Sequence, residues 1–255
     1  MTAYGVTAVR YAQRETTRGE VYYRWASYGE PDGPLSMAYY FWILEPSAGP
    51  PIIVDSGFAP EVGARKGRPC SCEPAVALAR LGIDGAEVEQ VVVTHLHYDH
   101  IGNLELFPNA ELIVARRELD FWTDPIARRP HFVDHTDTDA LARLVRAADA
   151  GRVRTVEDEL EVAPGVVAVR VGGHSPGQLV VTAGEVLLTS DAVHYYDELD
   201  TERPFAVLAD LADVYRAYDT VRALADGRTL VPGHDPLVME RHPARDGGSL
   251  AVRIA

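Results

Sequence analysis

Three histidines and an aspartate fall within six residues, His95-Leu96-His97-Tyr98-Asp99-His100, directly after the apolar run Val91-Val92-Val93. Neutral imidazole and carboxylate are ligands for zinc and similar borderline metals. His95 and His97 are two apart on an extended segment, so their side chains point the same way and can grip one ion. Asp99 and His100 lie further round the turn, where they can reach a second ion. A cluster of this density is a much stronger signal than a lone histidine pair. Two cations held side by side lower the pKa of a shared water, which makes hydrolysis the chemistry on offer.

The elements around the cluster are those that can present it. Stiff β-branched valines suit a pleated surface, and an uninterrupted run of them reads as a strand buried on both faces. The polar cluster then falls on a loop at the carboxyl edge of a sheet, where α/β folds keep their sites. Upstream, Val6 to Tyr11, Val21 to Ala26, Ala38 to Leu44 and Ile52 to Asp55 are strand candidates, separated by glycine- and proline-rich turns. Phe58 to Cys72 reads as a mobile loop, followed by a helix over Pro74 to Leu81 and a short one capped by Asp84. Downstream lie a strand at Glu111 to Ala115 and helices from Arg116 towards Trp122 and from Thr138 to Ala150. The second half is again β-rich, with strands at 152–157, 166–171, 179–183, 186–189 and 229–231 and an amphipathic helix over Leu211 to Leu224.

The motif His95-Leu96-His97-Tyr98-Asp99-His100-Ile101-Gly102 resembles the signature of the metallo-β-lactamase superfamily, whose hydrolytic members usually hold two metals. The resemblance implies an α/β fold, a four-layer αββα sandwich, formed by residues 1–255 as one domain. It also implies three further ligands at strand ends. These are His174 in Gly172-Gly173-His174-Ser175-Pro176-Gly177, Asp191 in Thr189-Ser190-Asp191, and His234 in Pro232-Gly233-His234-Asp235. The first metal would take His95, His97 and His174, the second Asp99, His100 and His234, with Asp191 bridging. Two divalent ions are implied, zinc first, with iron, cobalt or manganese also suited to these ligands. Asp55, ending the early strand, would orient a ligand histidine. A metal-bridging hydroxide would attack the carbonyl, and Asp99 would pass a proton to the departing oxygen.

Within the superfamily the residues narrow the branch. His97 stands where flavodiiron-type proteins carry glutamate, and Asp191 where the best-known class B β-lactamases use cysteine. Glyoxalase-II-type thioesterases share the ligands but add a helical C-terminal domain, for which the stretch after His234 is too short. The resemblance therefore runs to the N-acyl homoserine lactonases, with another small cyclic ester or a thioester as the alternative substrate. In those lactonases a tyrosine three residues after the bridging aspartate meets the substrate carbonyl. Here that position is His194, followed by Tyr195 and Tyr196, so His194 or Tyr195 is expected to serve as a catalytic contact. An apolar acyl channel is expected from Met37, Tyr39, Phe41, Phe58 and the 121–135 segment.

Composition sets the outer bounds. With 255 residues, 47% of them hydrophobic, the chain can bury a full core. A formal charge of −14 disfavours nucleic-acid phosphates and anionic membranes as partners, leaving a small-molecule substrate. The opening residues show no basic-then-apolar leader pattern, and no apolar run approaches a bilayer span, so a cytoplasmic enzyme is expected. Cys70 and Cys72 read as ordinary loop thiols, and His131 and His135 as part of a surface or lid loop.

Overall fold

The computed structural model describes residues 4–245 and 247–255. Twelve strands run β1 (Tyr4–Thr17), β2 (Pro34–Pro46), β3 (Ile52–Val54), β4 (Gln90–Val93), β5 (Glu111–Ala115), β6 (Val153–Val156), β7 (Glu159–Ala163), β8 (Val166–Arg170), β9 (Leu179–Ala183), β10 (Val186–Ser190), β11 (Thr229–Pro232) and β12 (Ala251–Arg253). They form a seven-stranded sheet ordered β12-β1-β2-β3-β4-β5-β6 and a five-stranded sheet ordered β11-β10-β9-β8-β7. The β3–β4, β4–β5, β5–β6 and β10–β11 pairs are parallel. Their carboxyl ends deliver the loops that carry the histidine cluster.

The valine run explains itself in this setting. Val92 packs between the two sheets with Trp42, Leu44, Val181 and Leu188. Val91 and Val93 face the opposite way, into a second core shared with Phe41 and Ile53. Both faces of β4 are covered, so its sequence has no polar alternation. The outer core is closed by Ala77 and Leu78 of the helix Pro74–Arg80 and by Ala140, Leu144 and Ala147 of the helix Thr138–Asp149. On the far side the helix Leu211–Leu224 lays Val214, Tyr218 and Val221 over Val180 and Leu187. The layers are helix, sheet, sheet, helix, the expected αββα arrangement.

Four local readings need correction or completion. Val21 to Ala26 is not a strand: Thr17 caps a helical turn at Arg18–Val21, and Arg24 then takes a left-handed backbone at φ 54°. The apolar spacing that suggested a strand instead buries Val21, Tyr22 and Trp25 in the outer core. The stretch from Phe58 to Cys72 contains a helix, Pro60–Arg65, with proline in its first turn and Val62 buried, and Cys70 bridges to Ala12. Strands β7 and β12 are additions. β7 is an edge strand with only Val162 buried, and β12 has three residues, so neither carries a readable hydrophobic period. Among the described residues, no helix is long and apolar enough to cross a membrane.

Candidate metal centre

Four loops at the carboxyl ends of strands bring seven donor side chains together. His95, His97, Asp99 and His100 follow β4, His174 lies between β8 and β9, Asp191 follows β10, and His234 follows β11. All seven are buried. Asp191 is at the hub. Its Oδ2 lies 3.4 Å from His174 Nε2 and 3.9 Å from His95 Nε2, while Oδ1 lies 3.4 Å from His100 Nε2 and 3.2 Å from His234 Nε2. Asp99 faces the same space, 3.8 Å from His100 Nε2 and 3.9 Å from His234 Nε2. The donors sort into His95–His97–His174, His95–His100–Asp191 and Asp99–His100–His234, each set within 4.8 Å. The sequence expectation named these residues, and the structure brings all seven to one place.

Backbone and buried partners fix their orientation. Asp55 and Ser190 both adopt left-handed backbone, at φ 63° and 45°, which swings each strand end sharply into its loop. Asp55 Oδ2 accepts a 2.8 Å hydrogen bond from His100 Nδ1, leaving Nε2 free for the cluster. The same carboxylate accepts from the Thr94 backbone N–H at 2.8 Å and from the Thr94 hydroxyl, which in turn meets Ser190 Oγ at 2.9 Å. His234 Nδ1 donates to the Ala38 carbonyl at 2.6 Å, again turning Nε2 inward.

Glu118 is the functional residue that sequence reading missed. It is fully buried on the helix Arg116–Thr123. Its carboxylate accepts from the Leu96 N–H at 2.9 Å, the Trp122 indole at 2.7 Å, the Gly177 N–H at 2.7 Å and the Ser175 hydroxyl. One side chain thus fastens the loop of His95 and His97 to the loop of His174. A Cβ at Gly177 would lie 2.4 Å from the Glu118 backbone N, which explains a glycine there. An isolated glutamate on an amphipathic helix gives no sign in sequence of this role.

The electrostatics favour a metal. Burial, then neighbouring imidazoles, hold His95 and His97 well below the usual histidine range, and burial does the same to His174. That direction favours the neutral form of these rings, the form with a lone pair to donate. His100 goes the other way: burial pulls it down, but Asp191, Asp55 and Asp99 lift it well above normal. Asp191 is held far below the carboxylate range despite its burial, by His234, His100 and His194. His95 Nε2, His100 Nε2 and His194 Nε2, the nitrogens that these rings turn towards Asp191, are buried without well-formed hydrogen bonds. A buried acidic hub ringed by unpartnered imidazole nitrogens fits divalent cations.

A cavity of about 220 Å³ opens over the cluster, lined by Met37, Tyr39, Tyr98, His135 and Phe205 together with Arg14 and Arg68. The expected wall residues divide. Met37 and Tyr39 line it, whereas Phe41 and Phe58 are fully buried in the outer core. His135 is half-buried with its ring 5.5 Å from that of His97, so the segment expected as a surface or lid loop reaches the centre, and its Pro130–Val133 part is a helical turn instead of a loop. His194 sits beside the cavity, not on its wall. Its Nε2 lies 3.2 Å from Asp191 Oδ2, its ring stacks on Phe205 at 3.8 Å, and Nδ1 lies 3.5 Å from buried Glu198. Burial lowers the His194 pKa, but Asp191 and Glu198 outweigh it and push it up to about 9. Tyr195 is buried in the outer core with its hydroxyl donating to the Ser36 carbonyl at 3.2 Å.

Known proteins resemble the chain in both sequence and fold. It is 34% identical over 167 residues to the N-acyl homoserine lactonase AttM of Azorhizobium caulinodans, covering 61% of each chain. The N-acyl homoserine lactonase AiiA of Bacillus thuringiensis subsp. kurstaki is 27% identical over 191 residues, covering 68% of this chain and 70% of its own. The match to the first of these spans somewhat less than two thirds of that relative's length. A solved quorum-quenching N-acyl homoserine lactone lactonase superposes with a TM-score of 0.78 at 22% identity, covering 96% of this chain and 98% of its own. Residues 35–234 match the profile of the metallo-beta-lactamase superfamily, a span that takes in every donor of the buried cluster, and the chain belongs to that family.

Proposed function

We propose that this chain is a metal-dependent hydrolase, a single domain holding two divalent ions, that opens a lactone ring, with N-acyl homoserine lactone as the favoured substrate. The observation that carries the reading is the convergence of seven buried histidine and aspartate donors on one place with Asp191 at its hub, in a chain similar to N-acyl homoserine lactonases. His95, His97 and His174 would hold one ion, Asp99, His100 and His234 the other, and Asp191 both. Zinc suits the donors best, and iron, cobalt or manganese remain compatible. When bound, such ions supply an activated water at neutral pH and polarise an ester carbonyl.

The chain's own residues do the rest. Asp99 lines the cavity beside the cluster, where its carboxylate can take the proton that the attacking water gives up and pass it to the leaving oxygen. Asp55 and Glu118 hold the ligand loops in register. His194 is a positioning residue that acts through Asp191, and with Tyr195 committed to Ser36 the carbonyl is left to the centre itself.

The test combines elemental analysis with a pH-stat screen of zinc-loaded protein. About two ions per chain are expected, with ring opening of acyl homoserine lactones and loss of most activity in His97→Ala. One ion per chain, unchanged in Asp99→Ala, would reduce the centre to a mononuclear one. Faster turnover of a thioester than of any lactone would replace the substrate class.

A further inference from the structure

The cavity above the cluster does not look like a sleeve for an alkyl chain. Two of the hydrophobic walls expected for one, Phe41 and Phe58, are core residues, and the outer lining brings in Arg14, Glu20, Arg68 and His135. The basic side chains stand out in a chain with 24 lysines and arginines against 38 acidic residues.

Arg68 is the best placed of them. It is half-buried, and one guanidinium nitrogen donates to the Tyr98 hydroxyl. The guanidinium lies 5.5 Å from the Tyr98 ring centroid and 6.0 Å from that of Tyr39, so two aromatic faces help to fix it. Among the described residues no carboxylate lies within ion-pairing distance of it, whereas ten other arginines have one. Arg14 adds a second positive charge. Its contact with Glu20 is 3.5 Å, that glutamate also accepts from Thr16, and the Arg14 Nε is buried without a partner. Lys66 lies 4.7 Å from the Tyr98 ring centroid and contributes to the same field. The Tyr39 hydroxyl, buried beside Tyr98 on the cavity wall, makes no well-formed hydrogen bond.

A planar fork of N–H donors, partly desolvated, that feels the charge of Asp99 but has no carboxylate within ion-pairing distance, matches the two oxygens of a carboxylate. We infer that the arm of the substrate pointing away from the scissile carbonyl carries a carboxylate received by Arg68, with Arg14 and the Tyr39 hydroxyl beside it. The cavity would then select an acidic lactone over one with a plain alkyl chain. The inference rests on the lactone-hydrolase reading and specifies its substrate class.

The experiment compares two lactones of equal chain length on the metal-loaded enzyme, N-hexanoyl- and N-adipoyl-homoserine lactone, which differ by the terminal carboxylate. The adipoyl lactone should show at least about 10-fold higher kcat/KM, mainly through KM, as expected for a charge-assisted bidentate contact. Arg68→Met should erase the preference, Arg68→Lys should keep part of it, and raised salt should shrink it. Calorimetry with ring-opened N-adipoyl-homoserine supplies a readout without turnover, and Arg68→Met should weaken its binding by a similar factor. Equal kcat/KM for the two lactones in the parent overturns the inference and leaves the lactone reading intact. If neither lactone opens, that reading fails, and the calorimetric comparison still decides whether Arg68 takes a carboxylate.

Discussion

The floor of the cavity and its rim are built on opposite plans. On the floor, three of the four ligand loops are tied by a buried carboxylate or carbonyl: Asp55 on His100, Ala38 on His234, and Glu118 across the loops of His97 and His174. On the rim, Arg14, Arg68 and His135 are only half-buried, and their contacts are few. Buried polar groups that are fully bonded specify one geometry, whereas half-exposed charges can be exchanged at little cost to stability. On the function proposed above, the floor would set the reaction and the rim the substrate.

Glu118→Ala should give the largest effect and is the sharpest attempt to break that contrast. It would orphan donors from Leu96, Trp122, Ser175 and Gly177 at once. At about 1–3 kcal/mol for each buried donor left unsatisfied, a loss of at least about 3 kcal/mol of stability is expected, with activity falling alongside it. Chemical denaturation checks this, and a parental midpoint would show that the floor is held some other way.

Asp55→Asn comes next. It keeps the shape and one acceptor oxygen but removes the charge facing His100, so metal affinity or activity should fall roughly 10- to 100-fold with the fold intact. Competition with a chelator measures it, and unaltered metal retention would return Asp55 to the part of a strand-ending turn residue. The smallest effects separate two neighbours. His194→Ala should lower metal retention and kcat together by about 10-fold, through loss of its grip on Asp191. Tyr195→Phe should cost about 1 kcal/mol of stability for its hydrogen bond to Ser36 and leave kcat near the parent's. A drop in kcat for Tyr195→Phe with metal content unchanged would bring that phenol back to the carbonyl.

The same division governs what could be read before the structure. Every donor of the floor was legible, because short motifs at strand ends carry them and the β4 valines announce a strand covered on both faces. Asp55 was legible for the same reason. Glu118 was not, since its partners come from positions 96, 122, 175 and 177 and meet only after folding. Arg68 and Phe205 reach the cavity from irregular segments with no period to betray them. Local patterning misled at Val21 to Ala26, where alternating large side chains serve a compact turn stapled to the outer core. It also assigned Phe41 and Phe58 to the cavity, because composition alone does not say which face of an element a side chain takes.

Glu118 also separates two kinds of change that the molecule can absorb. The spacing between the His97 and His174 loops is referenced to a residue that belongs to neither of them. The stretch from Asp124 to Asp137, which carries His135 over the centre, begins after the helix that bears this anchor. The end of that stretch is nevertheless tied to the same loop, because the Thr136 hydroxyl donates to the Leu96 carbonyl at 2.7 Å and the Tyr98 N–H donates to the His135 carbonyl at 2.8 Å. Exchange of the cover that spares the gauge between the ligand loops is thus confined to the part that precedes His135.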